Sequence, residues 1–182
     1  MQARLTATDL ACRRGERLLF RGLSLDLASG DVLHITGENG TGKTSLLRIL
    51  AGLLNPYSGE VSHEGAIGML DERPALDPDQ PLSEALRFWQ QVDGCADASE
   101  AVSAMELDAL LEVPVRYLST GQRKRAAMAR LLCQDAPIWL LDEPLSGLDI
   151  LRLHRRHRLQ HAVSNCVILD TIVVIVGVIP TR

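Results

Sequence analysis

One glycine-rich run constrains this chain more than any other feature. It is Gly37-Glu38-Asn39-Gly40-Thr41-Gly42-Lys43-Thr44, which fits the pattern GxxxxGK[ST]. Its glycines let backbone N–H groups close around phosphate oxygens without side-chain obstruction. Lys43 then reaches β- and γ-phosphates, and the Thr44 hydroxyl is placed to ligate Mg²⁺. Val32 to Thr36, just before the run, reads as a compact strand. Lys43 to Leu53, just after it, reads as a helix with Leu46, Leu47, Ile49, Leu50 and Leu53 on one broad face. Gly52 and Asn55-Pro56 close that helix, and its positive dipole end faces the anion.

Composition narrows the classes further. A chain of 182 residues, 46% hydrophobic, suits one domain or one core with a small appended lobe. Nineteen Lys+Arg against 23 Asp+Glu leave a net charge of -4, with two each of Trp, Tyr and Phe. Neither a basic footprint nor a base-stacking surface is present, so nucleic acid is not an expected partner. Met1 to Ala11 has no apolar signal region. Cys166 to Pro180 is interrupted by Asp170 and falls short of the ~20 residues a spanning helix needs. The expectation is a soluble, cytosolic chain. Cys12, Cys95, Cys133 and Cys166 are scattered and form no CxxC pair, so free thiols are expected.

Elsewhere the chain alternates strand and helix patterns. Ser24 to Leu27 alternates at period two and reads as one of several short strands, and Ile67 to Leu70 reads as another. A Pro/Asp-rich loop from Asp71 to Pro81 leads into a helical pattern at Leu82, Leu86 and Trp89, with Ser83 as its expected cap. Ser99 to Glu112 and Gln122 to Cys133 read as further helices. Two more patterns carry chemistry. Ile138-Trp139-Leu140-Leu141-Asp142-Glu143 delivers two carboxylates where an apolar strand ends, the place where open α/β sheets hold ligands. Asp142 suits the Mg²⁺ shell and Glu143 the polarising of an attacking water. Leu118-Ser119-Thr120-Gly121-Gln122 opens a helix, as a second phosphate cap or an ordinary Ser-capped start.

These motifs in this order, with Leu145-Ser146-Gly147-Leu148-Asp149 after Pro144, resemble the ATP-binding subunits of ABC transporters. The resemblance spans about Leu5 to Asp149. It implies an α/β phosphate-loop NTPase core with a small antiparallel β lobe and a short helical lobe, at about 74–121. The ABC ATPase domain is then 1–149, and 150–182 is a tail completing or truncating the core. It implies ATP and Mg²⁺ as cofactors. Gly37, Glu38, Asn39, Gly40, Thr41, Gly42, Lys43, Thr44 and Ser45 would bind the nucleotide, Thr44 and Asp142 the metal, and Glu143 would be catalytic. Ser119, Gly121 and Gln122 would close over ATP held by a second copy in a homodimer, and Asp149 matches the D-loop aspartate. The loop and helical lobe would meet integral membrane transporter subunits at the cytoplasmic face of the membrane. Within the family, the chain resembles most the haem-exporter branch of the cytochrome c maturation system. Arg73-Pro74-Ala75-Leu76-Asp77-Pro78, running into Leu82 to Trp89, carries this finer likeness.

Three positions depart from the family pattern. Arg73 stands nearest the expected Q-loop glutamine and cannot accept a hydrogen bond as glutamine can. Arg14 aligns with the aromatic that stacks on adenine; its guanidinium can stack on a base. The family's switch histidine should follow a strand beyond Glu143. Ile172 to Val176 fits that strand, yet Gly177 follows it, and His154, His157 and His161 come too early. From Ile150 onward the chain does not resemble the family. A divergent tail and a shifted reading frame both fit, so a hydrolysis-impaired nucleotide-binding module, or the ATPase of another small exporter, is the alternative function.

Overall fold

Leu5 and Ala7 alternate with more exposed neighbours, which buries one face of a long first strand, β1 (Arg4–Arg14). A computed structural model describes residues 3–71, 74–142 and 171–176. Across a tight turn at Gly15, with φ of 58°, the chain returns as β2 (Arg17–Ala28). These strands are 11 and 12 residues long, where short strands were expected. They stay paired because bulges absorb the register shifts between Ala7 and Leu10 and around Cys12. Asp9 takes a φ of 49° in the first of these. A third strand, β4 (Ser58–Glu64), pairs with the other side of β1, giving an antiparallel lobe in the order β2-β1-β4.

The core sheet contains β3 (Val32–Thr36), β5 (Ile67–Leu70), β6 (Ile138–Asp142) and β7 (Thr171–Val176), ordered β3-β7-β6-β5. The strand β5 runs parallel to β6, while β7 is antiparallel to both of its neighbours, β3 and β6. Among the described residues there are four α-helices: α1 (Lys43–Leu50), α2 (Leu82–Asp93), α3 (Ser99–Ala104) and α4 (Thr120–Cys133). The two faces of β6 serve two cores. Ile138 and Leu140 pack with Leu46, Leu47 and Leu50 of α1 and with Leu5 and Leu10 of the antiparallel lobe. Trp139 and Leu141 pack with Leu82 and Leu86 of α2 and with Met128 and Leu131 of α4. The expected architecture, an α/β core with an antiparallel lobe and a helical lobe, is the one observed.

Several local expectations differ from the structure. The helix α1 stops at Leu50, because Gly52 turns left-handed at φ 72° and donates to the Ile49 carbonyl. Leu53 is therefore 69% exposed instead of lying on the buried face. Ser83 is not a cap. Pro81 holds that position, and the backbone N–H groups of Leu82 and Ser83 donate to the Val113 and Leu111 carbonyls. The third helix ends at Ala104, not near Glu112, with Glu106 left-handed at φ 54°. That turn buries Leu107 completely before a short 3₁₀ turn at Asp108–Leu110. Burying a leucine gives about 1.5–3 kcal/mol, more than one left-handed residue costs. Cys95 and Cys133 are bonded as a disulfide instead of being free thiols, because the ends of α2 and α4 bring their Cα atoms to 5.8 Å. Cys12 is buried and free, as expected.

Two glycines separate backbone strain from steric clash. Gly59, with φ of 85°, would place a Cβ 2.4 Å from the Thr8 carbonyl oxygen, whereas Gly52 has nothing within 4 Å. Gly59→Ala should destabilise the fold by about 2–4 kcal/mol, through both the φ and the overlap with β1. Gly52→Ala should cost only about 1 kcal/mol. Urea midpoints of the two variants measure the difference, and equal midpoints would contradict the close approach at the β1 bulge.

Candidate functional site

The phosphate-loop residues follow β3 and enter α1 through two left-handed glycines, Gly40 at φ 81° and Gly42 at φ 103°. Side chains rarely adopt that conformation, which explains glycine at both positions. Gly42 also lies tight against β2. A Cβ there would meet the Leu19 side chain at 3.1 Å and the Phe20 ring at 3.4 Å. The antiparallel lobe thus backs the loop, a role for Leu19 and Phe20 that their sequence pattern did not signal. Within the loop, the Thr41 N–H and hydroxyl both donate to the Glu38 carbonyl.

The mouth of the loop is built for an anion. Gly42 is the N-cap of α1, no side chain caps it, and the first turn carries no acid. The first intrahelical donor after the cap is the Leu46 N–H, to the Gly42 carbonyl. The N–H groups of Lys43, Thr44 and Ser45 have no partner within the helix. Lys43 folds back onto the loop, its Nζ donating to the Gly37 carbonyl at 2.6 Å and the Glu38 carbonyl at 3.0 Å. Gly37 to Thr41 are exposed, so a ligand can approach.

Asp142 is the last residue of β6 and is buried. The strand has not ended at this position, contrary to the sequence reading: Asp142 still pairs with Ile172 of β7. Strand alternation then decides its direction. Asp142 shares the face of Ile138 and Leu140, which is the face packed on α1. The carboxylate and the Thr44 hydroxyl are hard oxygen donors on neighbouring elements, a donor set that suits Mg²⁺. Glu143 and Asp149 lie outside the described residues, as do Arg73, His154, His157, His161 and Gly177.

The direction of β7 corrects one expectation. Thr171 pairs with Thr36, and Val176 pairs with Ile138. The C-terminal end of β7 is therefore at the far side of the sheet from Asp142 and the phosphate loop. The strand thus runs opposite to the one the family layout places before its switch histidine, and Gly177 lies outside the described residues.

Ser119 is a true N-cap. Its Oγ accepts from the Gln122 N–H, while the Gln122 Oε1 accepts from the Ser119 N–H, a complete capping box. The ordinary reading of this helix start is thus realised. The phosphate-cap reading remains chemically available, because the Ser119 hydroxyl proton and the Thr120 and Gly121 N–H groups are not consumed by the box. Arg14 is exposed at the end of β1, paired across the turn with Arg17, and its neighbour Arg13 stacks on the Tyr57 ring at 4.9 Å. A further tie escaped the sequence reading: Arg48 near the end of α1 bonds Asp71, just after β5, at 2.9 Å. It links the phosphate-loop helix to the loop that precedes the helical lobe.

Known proteins are similar to this chain in sequence and in fold. The ABC transporter family model matches residues 20–146. The chain is 57% identical over 160 residues to the cytochrome c biogenesis ATP-binding export protein CcmA of Novosphingobium aromaticivorans, covering 88% of this chain and 81% of that protein. It is 53% identical to the CcmA of Zymomonas mobilis, over 81% of this chain and 67% of that protein. Among solved structures, the ATP-binding subunit of an ABC transporter superposes with a TM-score of 0.70 at 21% identity, covering 86% of this chain and 72% of that one. With strand, phosphate loop, capped signature helix and buried aspartate in that order along the sequence, the chain belongs to the ABC transporter family, among the cytochrome c biogenesis ATP-binding export proteins.

Proposed function

We propose that this chain is the ATP-hydrolysing subunit that drives a membrane transporter in haem export for cytochrome c biogenesis. The observation that carries the nucleotide reading is the uncapped first turn of α1 beneath Lys43. Three helical N–H groups, a dipole end and one cation converge there, which suits the β- and γ-phosphates of ATP. Residues 37–45 form this cradle. Thr44 and Asp142 hold Mg²⁺, which neutralises the phosphate charge when bound. Glu143, the next residue after the buried aspartate, positions the attacking water.

The unit that does this is 1–149, with its helical lobe at 74–121, and 150–182 is the tail. Two copies pair so that Ser119, Gly121 and Gln122 of one close over the nucleotide on the other, with Asp149 at the seam and Arg14 beside the base. The groove between the end of α1, β5 and the helical lobe, lined by Met69, Asp71, Ala75 and Arg130, faces the membrane subunits. Its apolar floor and the Arg48–Asp71 tie connect that surface to the phosphate-loop helix. Among the described residues no helix is long and apolar enough to cross a membrane, and a peripheral place on the cytoplasmic face follows from this partnership. Nucleic acid has no part in it.

The hydrolysis-impaired reading is supported by β7. Its C-terminal end points away from the phosphate loop, unlike the strand that precedes the switch histidine in the family layout, and the sequence has no histidine after it. Losing one charge-stabilising contact costs ~10²–10³-fold in rate. Purified chain should bind MgATP well yet turn it over slowly for an ABC subunit, measured as steady-state hydrolysis beside nucleotide binding. Family-typical turnover that disappears in His154→Ala, His157→Ala or His161→Ala would identify a substitute contact and overturn this reading.

Two further substitutions test the site. Lys43→Ala should weaken MgATP binding on the order of 10²-fold, the worth of a charged hydrogen-bonding group; unchanged affinity by calorimetry would contradict the assignment. Ser119 has two separable roles. Ser119→Ala should cost about 1 kcal/mol of stability from the lost cap. Ser119→Asp keeps a good cap but sets a negative charge against the partner's γ-phosphate. With Glu143→Gln present to retain ATP, the chain should sediment as a dimer, and adding Ser119→Asp should leave it monomeric at unchanged melting temperature. A dimer that survives that charge would remove Ser119 from the interface.

A further inference from the structure

The helical lobe contains a junction that the nucleotide site does not use. Gly94 ends α2 with a left-handed turn at φ 71°, and Cys95 follows it. Cys133 is the last residue of α4. Between them lies a dense polar contact. Arg130 Nε donates to Asp93 Oδ2 at 2.9 Å, and Gln134 Nε2 donates to the other Asp93 oxygen at 3.0 Å. The Arg130 guanidinium sits over the Trp89 ring at 3.3 Å, and Trp89 donates its indole N–H to the Ala75 carbonyl. These groups hold the ends of α2 and α4 together, and tie both to the loop before α2, without help from sulfur.

Three observations bear on the Cys95–Cys133 bond itself. Both cysteines are half-buried, so a small reagent can reach them, while Cys12 is sealed in the core. The Asp97 carbonyl oxygen is 3.4 Å from Cys95 Sγ and 3.8 Å from Cys133 Sγ. Each thiol therefore has an acceptor waiting when the bond is open. Asp97 is itself fixed, its carboxylate accepting from the N–H and hydroxyl of Ser99 at 2.8 Å. The Arg130–Asp93 contact ties the two helix ends together independently of the bond between the sulfurs.

We propose that Cys95 and Cys133 are a reversible thiol–disulfide pair, a redox staple between the helical lobe and the far end of the helix that starts at Ser119. The oxidant is a small-molecule disulfide such as oxidised glutathione. One cysteine thiolate attacks a glutathione sulfur, forming a mixed disulfide and releasing a glutathione thiolate. The second cysteine thiolate then attacks the protein sulfur of that mixed disulfide and releases the second glutathione thiolate. The two protons lost by the cysteines end on the two glutathione thiols, so two electrons pass from the protein to the oxidant. Reduced glutathione in excess reverses both steps. The closed staple shortens the unfolded chain's freedom across 38 positions of sequence and leaves the folded backbone unchanged.

The test uses the full chain equilibrated in oxidised or in reduced glutathione, followed by peptide mapping and thermal unfolding. In oxidised glutathione, a linked Cys95–Cys133 peptide should form, lighter than its two thiol peptides by two hydrogens. In reduced glutathione both thiols should return with the far-ultraviolet circular dichroism unchanged, and the melting temperature should fall by roughly 5–10 °C. Cys95→Ser and Cys133→Ser should each abolish that temperature difference and leave a glutathione adduct on the remaining cysteine. Thiols or stable adducts at both positions of the unmutated chain in oxidised glutathione would overturn the proposal. So would a link that survives excess reduced glutathione, or loss of folding when it opens. Should either variant fail to fold, the peptide map of the unmutated chain decides alone.

Discussion

The burial of β6 is the constraint on which the rest of the structure depends. Every residue of Ile138–Asp142 is buried, and successive side chains point to opposite faces. The odd positions hold the helical lobe and the even positions hold α1 with the antiparallel lobe. A single five-residue strand therefore joins two cores that share few other elements. Its final even position is an aspartate, which the same alternation turns toward α1. Packing and chemistry are set by one register: a slip by one residue would exchange the two cores and turn the carboxylate away from the phosphate loop.

Much of this was legible in the sequence because it rests on short-range rules. The strand at Val32 to Thr36, the strand at Ile67 to Leu70 and the helix starting at Lys43 sit where hydrophobic period and glycine placement put them. The Ser119 cap was readable too, since a serine three residues before glutamine at a helix start has a local meaning. What escaped was decided at long range. Ser83 could not be excluded as a cap without knowing that the 111–113 backbone would satisfy the first turn of α2. Leu107 interrupts a helical pattern because a distant core accepts it. Cys95 and Cys133 carry no local pairing signal, and only the packing of two helix ends brings them together. The direction of β7 was equally invisible, because an apolar run has no polarity of its own.

The two halves of the molecule also communicate through few, polar contacts. Arg48 reaches Asp71 from the end of α1, while Arg130 gathers Asp93 and Trp89 around the end of α4. Both arginines sit in the last turn of their helices, where a cation complements the dipole. Each therefore stabilises its own helix end and clamps it to another element. The loop at 74–76 lies between the two clamps, bonded to Trp89 on one side. These side chains and the shared sheet are the links that the structure provides between the phosphate-loop helix and the helical lobe.

The pose of Lys43 has a consequence for discrimination among anions. Two of its three ammonium donors go to the Gly37 and Glu38 carbonyls, so a phosphate that draws on more than the third must displace bonds the protein makes to itself. A hydrogen bond involving a charged group is worth about 1.5–3 kcal/mol, and a lone inorganic anion offers little more than replacement. A polyphosphate reaches the freed lysine and the helical N–H groups together and gains from both. The loop's own carbonyls thus compete for the lysine, and that competition favours ligands that make several contacts at once over single-contact anions.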